Sequence, residues 1–392
     1  MPFKGVDVMD VKKEFVLKAL DGRIVFTELC REYNITTKCG YKWKQRFLEE
    51  GYAGLEEHSR RPKNNSKCLP EVVSVELLRI KNLHKTWGAK KILTIYKRDN
   101  IGKYRPARST VENLFVRAGY TGQKRRRKII GGGIIQHRIV PEKPNDVWTV
   151  DFKGWWYSKN REKVNPLTIR DEYGKYIHAI KTVEKGDTAS VKAEFIRVFK
   201  KYGLPLYIRS DNGPPFANNL NMWGLTKLSV WWMTLGIQLD RIDPGHPEQN
   251  GGHERMHRDM KTELEGQIDG TLNEHQIVFD KWREEYNNVR PHEALGMRTP
   301  SEVYEKSERK YPGEYIEIQY GRGYKVRVVN DRGFINLKQR RIFVGNPFAG
   351  YCVGIKEFID KPTEVWFGKM LLGKINPDNG LIEPEFNDAR IV

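Results

Sequence analysis

The chain has 392 residues, enough for two or three domains at roughly 150 residues each. With 30% charged and 39% apolar residues, 35 Gly and 19 Pro, the composition excludes wholesale disorder and fibrous repeats. The net charge of +19 is concentrated: residues 1–59 are neutral overall, residues 60–146 hold 22 basic and six acidic side chains, and the remainder is nearly balanced.

A block that lopsided suits a polyanion, because each phosphate contact releases counterions. Nucleic acid is therefore the expected partner, ahead of an anionic membrane. In chain order, Met9, Val11, Phe15, Val16, Leu17 and Leu20 recur at helical spacing and stop at Asp21-Gly22. A second helix is predicted from about Val25 to Tyr33, and Asn34-Ile35 turns the chain into a third that Thr36 or Thr37 can cap, running to Phe47. Three short helices with a tight turn before the last form a helix-turn-helix pattern, here over residues 1–59. Its third helix is expected to expose Lys38, Lys42, Lys44 and Arg46 around Tyr41, Trp43 and Phe47.

Arg60, Arg61 and Lys63 mark residues 60–68 as a basic linker able to follow a groove. Residues 69–123 repeat the trihelical architecture: Leu69-Pro70 opens a helix to about Leu83, Trp87-Gly88-Ala89 leads into Lys90–Tyr96, and Pro106 precedes a third helix near Ser109–Ala118, with Arg108 just ahead of it as a further DNA-binding candidate. Lys124, Arg125, Arg126, Arg127 and Lys128, then Gly131-Gly132-Gly133, make residues 124–146 a second basic linker and hinge. From Val147 strands alternate with helices: Val147–Tyr157, Leu167–Arg170, Tyr176–Val183, a helix from Thr188 to Tyr202, then Leu206–Arg209. Three strands, a helix and a strand open a ribonuclease-H-like α/β sheet, assigned to residues 147–308. Short strands separated by Gly and Asn turns over residues 309–392 predict a small β-barrel. Cys30, Cys39, Cys68 and Cys352 lack C-x-x-C spacing and are expected to be reduced and inert. No apolar run approaches the roughly 20 residues that span a bilayer, and the N-terminus lacks a signal-peptide core, so a cytoplasmic protein is expected.

Asp151 interrupts an apolar strand, where a lone carboxylate is costly without a partner. Asp211 follows the buried strand Leu206–Arg209, at the carboxyl end where α/β sites form. Together they make half of a hard-cation site. Two glutamates compete for the third place, Glu248 and Glu254. If a helix starts near Asn250-Gly251, Glu254, Arg258 and Lys261 share one face, a carboxylate followed by two cations that could hold a DNA backbone.

These residues resemble the integrase-like DDE transposases of bacterial insertion sequences, which share their catalytic core with retroviral integrases. The resemblance covers residues 147–305 by motif and residues 1–146 by helix-turn-helix architecture only. Asp151, Asp211 in Asp-Asn-Gly-x-x-Phe and Glu254 in His-Pro-x-x-Asn-Gly-x-x-Glu-Arg match the family's two aspartates and glutamate, and Tyr286–Gly296 with Thr299-Pro300 and Tyr304 looks like its closing signature. The family's usual spacing before the glutamate is shorter than the 42 residues between Asp211 and Glu254; Glu248, after 36, fits the count better. Glu254 is preferred because it keeps the preceding Asn-Gly and the Arg258/Lys261 face. The extra residues are expected in Asn218–Trp232, outside the site.

The resemblance implies that Asp151, Asp211 and Glu254 are both catalytic and metal-binding, holding two Mg²⁺ about 4 Å apart, with Mn²⁺ as a substitute. It implies DNA cleavage and strand transfer without a covalent protein–DNA intermediate. The partners would be double-stranded DNA, as terminal inverted repeats and target, and at least one further copy of the chain; the setting would be the bacterial cytoplasm, on the nucleoid. A silent DNA-binding regulator and a ribonuclease-H-like nuclease without strand transfer are the rival readings.

Overall fold

A computed structural model describes residues 7–57, 69–102, 104–120, 139–158, 160–183, 186–218, 221, 223–243, 246–264, 270–313 and 316–384. The chain divides into two compact units, Met1–Cys68 and Leu69–Val392. Both basic runs, Arg60–Lys63 and Lys124–Lys128, lie outside the described residues.

The first unit is built from α1 (Val8–Asp21), α2 (Phe26–Glu32) and α3 (Thr37–Glu50). Asp7 caps α1 by accepting from the Met9 N–H, and Thr36 caps α3 by accepting from Cys39. Phe15, Val16, Leu29, Cys30, Trp43 and Leu55 form its core. A Cβ on Gly40 would lie 2.7 Å from Cys30 Sγ, so the close crossing of α3 on α2 requires glycine there. The expected cationic face of α3 needs correction. Lys38 and Lys42 are exposed, but Lys44 and Arg46 are half-buried and Trp43 belongs to the core. Lys44 Nζ donates to the Ala19 carbonyl near the end of α1, 3.2 Å away, where a cation stabilises the carbonyl end of a helix.

In the second unit α4 (Glu71–Leu83), α5 (Ala89–Asp99) and α6 (Arg108–Arg117) pack around Leu77, Ile92 and Val111. The five-stranded sheet that follows comprises β1 (Val147–Phe152), β4 (Pro166–Asp171), β5 (Ile177–Thr182), β6 (Tyr207–Ser210) and β7 (Gln238–Arg241), in the order β5-β4-β1-β6-β7. The first three strands are antiparallel, and β6 and β7 continue parallel to β1. The predicted first strand is shorter than expected: after Phe152 the chain leaves the sheet for a hairpin of β2 (Trp156–Tyr157) and β3 (Lys163–Val164).

The period-two alternation of β1 and β4 decides the faces. Trp148, Val150, Leu167 and Ile169 join the core made with α7 (Thr188–Tyr202) and α8 (Lys227–Thr234). Thr149, Asp151, Thr168 and Arg170 point to the other face, towards α9 (Gly251–Leu264). There Met256 and Met260 of α9 meet Phe279, Trp282 and Tyr286 of α10 (Leu272–Asn288). The closing signature works as fasteners. Asn287 Oδ1 accepts from the Ile177 N–H and its Nδ2 donates to the Ile177 carbonyl, both 2.9 Å. Arg290 reaches Glu263 and Asp259 of α9 at 2.8 and 2.7 Å, and the Tyr304 hydroxyl donates to Asn145 Oδ1 at 2.9 Å. The three-helix module rests on this corner: Lys90 pairs with Glu293, Arg98 with Glu302 at 3.0 Å, and His84 Nδ1 lies 2.9 Å from Glu285.

Beyond residue 316, β8 (Lys325–Val328), β11 (Cys352–Lys356), β12 (Glu364–Phe367), β13 (Met370–Ile375) and β14 (Ile382–Glu383) form an antiparallel sheet in the order β14-β13-β12-β11-β8. The ribbon β9 (Phe334–Leu337) and β10 (Arg340–Phe343) pairs only with itself. The small β-barrel is thus corrected to an open sheet. Closure requires the two edge strands to pair; β8 bonds only to β11 and two-residue β14 only to β13, so no closed barrel exists among the described residues. Leu225 and Val230, from the segment expected to hold the extra residues, enter the apolar cluster of this sheet, and Trp223 Nε1 donates to the Leu372 carbonyl at 2.6 Å. Trp231 and Trp232 of the same segment are instead core side chains on α8.

Candidate active site

Thr149 of β1 lies opposite Arg209 of parallel β6, so two residues further on Asp151 and Asp211 stand level at the carboxyl ends of neighbouring strands. The Asp211 carboxylate accepts from the Gly213 N–H at 3.3 Å, and Asn212 Nδ2 donates to the Ile242 carbonyl at 2.7 Å, tying this turn to the end of β7. Glu254 lies in the first turn of α9 and is exposed. Burial pushes the Asp151 carboxyl up to about 7, and the negative charges of Asp211 and then Glu254 act in the same direction. Burial also raises Asp211. The charges of Asp211 and Glu254 are thus both felt at Asp151. Glu248 lies before α9, in the 3-10 turn Pro247–Asn250.

The start of α9 is held on the sheet by groups the motifs do not include. Arg170 Nη1 donates to the Gly252 carbonyl at 2.6 Å while its other arm pairs with buried Glu172. A Cβ at Gly252 would sit 2.6 Å from that guanidinium, so glycine admits the contact. His253 and His257, one helical turn apart, face the strands. Thr149 Oγ1 lies 2.7 Å from His253 Nδ1, and Thr168 Oγ1 lies 2.5 Å from His253 Nε2 and 2.7 Å from His257 Nε2. Burial holds His253 neutral and pulls His257 down to about 3.

Hydroxyl counting then sets the tautomers. The single proton of Thr168 goes to the Asp151 carbonyl at 2.9 Å, so both Nε2 atoms donate to Thr168. His257 Nδ1 is left with a lone pair 3.7 Å from Asp151 Oδ2. That lone pair and the carboxylate leave room beside them for a proton or a cation. Asp151, His253 and His257 also form a group whose ligand atoms lie within 4.8 Å of one another, but both nitrogens of His253 are already engaged. What this leaves for a divalent cation is the Asp151 carboxylate with His257 Nδ1 beside it and the Asp211 carboxylate at the end of the neighbouring strand.

A pH dependence follows. Stability that neutral Asp151 contributes to the metal-free protein is fully present below its ordinary value of 3.8 and is lost as pH rises through about 7. Cation binding requires the ionised form. Added Mg²⁺ should raise the Tm little at about pH 5.5 and clearly at about pH 8; equal shifts measured by calorimetry at both values would refute coupling to Asp151.

The cationic residues are placed as follows. Arg258 and Lys261 are exposed on α9. Arg108 opens α6, exposed and paired with Glu112 at 2.6 Å. Lys38 and Lys42 belong to the first unit, on α3. Among the described residues no helix is long and apolar enough to cross a membrane.

Residues 141–247 and 235–300 match families described as integrase core domain. Residues 11–63 match a helix-turn-helix domain and residues 39–115 a homeodomain-like domain. An uncharacterized 31.7 kDa protein of insertion element IS407 from Burkholderia multivorans is 28% identical over 246 residues, 60% of this chain and 82% of that protein. An uncharacterized 39.2 kDa protein of insertion element IS476 from Xanthomonas euvesicatoria is 24% identical over 59% of this chain, which spans only 64% of that relative. The HTLV-2 integrase catalytic core domain, solved in complex with magnesium, aligns with 42% of this chain and 99% of its own at 17% identity and a TM-score of 0.33. Integrase-core matches behind helix-turn-helix matches, with insertion-element proteins as relatives, support a likeness to the integrase-like insertion-sequence transposases.

Proposed function

We propose that the chain cleaves and joins DNA at the ends of an insertion element by Mg²⁺-dependent phosphoryl transfer. The observation that carries this reading is the register that sets Asp151 and Asp211 level at the ends of two parallel strands, with the charges of Asp211 and Glu254 both raising the Asp151 carboxyl. Asp151, Asp211 and Glu254 would hold the metal, with Mn²⁺ as a substitute. When bound, a pair of such ions supplies activation of the attacking oxygen and stabilisation of the leaving one.

The chain's own residues supply the rest. His257 and Thr168 fix the Asp151 side of the site, and Arg170 fixes the start of α9 on which Glu254 stands. Arg258 and Lys261, one and two turns along, hold phosphates and read no bases. The two helix-turn-helix modules, with Lys38, Lys42 and Arg108, recognise terminal repeats; Arg60, Arg61, Lys63 and Lys124–Lys128 track the backbone between modules. Joining two ends in one event requires at least two copies of the chain.

The deciding experiment incubates the full-length protein with its flanking element ends and Mg²⁺ and resolves the products strand by strand. Strand-transfer products support the reading. Hydrolysis alone would make the chain a nuclease, and binding without cleavage a regulator.

The cations of α9 give a separate test. Changing Arg258 and Lys261 together to Ala should lower the slope of log affinity against log salt by up to about two, roughly one for each phosphate that is no longer neutralised. Thermal stability should move by about 1 kcal/mol or less, since both side chains are exposed. An unchanged slope on the same duplex would return this face to ordinary surface.

A further inference from the structure

The hairpin that leaves the sheet immediately after Asp151 is built unevenly. Trp156 turns inward, its ring 6.3 Å from Phe279 and at right angles to it, beside buried Val164. By strand alternation its neighbours turn outward. Trp155 is 58% exposed and Tyr157 62%, their rings 5.4 Å apart edge to face. Lys163, opposite Tyr157 in the register, places Nζ 5.1 Å from the Trp155 ring centre.

Two hydrogen bonds brace the hairpin. The Ser158 N–H donates to the Glu162 carbonyl at 2.9 Å, and the Glu162 carboxylate accepts from the Leu272 N–H at the start of α10, 3.1 Å away. Glu162 is thereby turned to the helix, while Lys153, Arg161 and Lys163 supply positive charge along the same stretch. The charge of Lys153 is felt at the Asp151 carboxyl. Trp155 stands four positions after Asp151, a reach of at most about 14 Å.

Two large aromatic side chains left in water on a braced hairpin do nothing for the fold. Aromatic rings interleaved with cations are the means by which proteins hold unpaired nucleotides, the base stacking on the ring and the cation meeting the phosphate. We infer that Trp155 and Tyr157 form a stacking platform for an unpaired base of the DNA strand end that lies at Asp151. This rests on the proposed strand-cleaving role and adds to it a preference for DNA ends with unpaired nucleotides.

The test uses the full-length protein and two duplexes of identical sequence, one blunt and one carrying a short single-stranded overhang with 2-aminopurine. The wild type should bind the overhang duplex on the order of tenfold more tightly, the scale of one stacked base, with a change in 2-aminopurine emission. Trp155→Ala with Tyr157→Ala should bind both duplexes alike and leave the emission unchanged, and Trp155→Phe should retain the preference. Equal binding by the wild type, or a preference that survives the double substitution, would overturn the platform. So would self-association that the double substitution abolishes, which would assign the hairpin to a second copy of the chain. Cleavage with Mg²⁺ is scored in parallel. A chain that prefers overhangs and never cuts sinks the strand-cleavage reading but leaves the platform standing; a chain that cuts without the preference does the reverse.

Discussion

Asp151→Asn, Asp211→Asn and Glu254→Gln each should reduce DNA cleavage to background while leaving binding to the element's ends nearly intact. Each change keeps the side-chain volume and removes one proposed ligand charge, that of Asp151 or one of the two that act on it. Removing the Asp211 charge also takes away one of the effects that raise Asp151, so the Asp211→Asn protein should bind protons at Asp151 less tightly than the wild type. Glu248→Gln should have a much smaller effect. Strand-level assays of the four proteins with Mg²⁺ decide the matter: a dead Glu248 variant with an active Glu254 variant would show that residue counting was the better guide.

The second large effect is expected in the scaffold. Arg170 is 2% and Glu172 5% exposed, and the pair sits under Gly252 at the start of α9. Glu172→Gln leaves a buried guanidinium without its counter-charge and should cost roughly 3–5 kcal/mol of core stability. Arg170→Met with Glu172→Met removes both charges and should recover much of that loss. The double variant still lacks the bond to the Gly252 carbonyl, so its Mg²⁺-induced stabilisation should remain weak although it folds. Urea melts with and without Mg²⁺ separate the two effects. A Glu172→Gln protein as stable as the wild type would show that the guanidinium finds another partner.

Much of this arrangement was legible in the residues themselves, for local reasons. The helix Thr188–Tyr202 has the same bounds in the structure as in the periodicity, because Asp187 caps its start and Gly203 ends it. The aspartates were visible because each follows or breaks an apolar strand, and α9 does begin at Gly251. What escaped was non-local. His253 and His257 read as ordinary helix residues until Thr149 and Thr168, some 85 to 104 residues earlier, supply their partners. Lys44 and Arg46 are half-buried rather than fully exposed because the buried side of α3 is set by where Trp43 meets α1 and α2, which charge alone does not reveal. Strand content of the C-terminal region was readable, but whether its edges close depends on pairing between strands far apart in sequence, and β9 turned to β10.

The shared apolar cluster of Leu225, Val230 and the C-terminal sheet bears on how such chains diversify. A segment that lends part of its floor to a neighbour cannot be traded away by recombination without leaving Trp223, Leu225 and Val230 facing water, so inheritance should keep the catalytic sheet and the C-terminal sheet together. The first unit closes its own core from Phe15 to Leu55 and is joined ahead of Leu69. Exchange there carries no such penalty, and chimeras that graft a foreign helix-turn-helix module before Leu69 should remain soluble where grafts made between α8 and β8 precipitate.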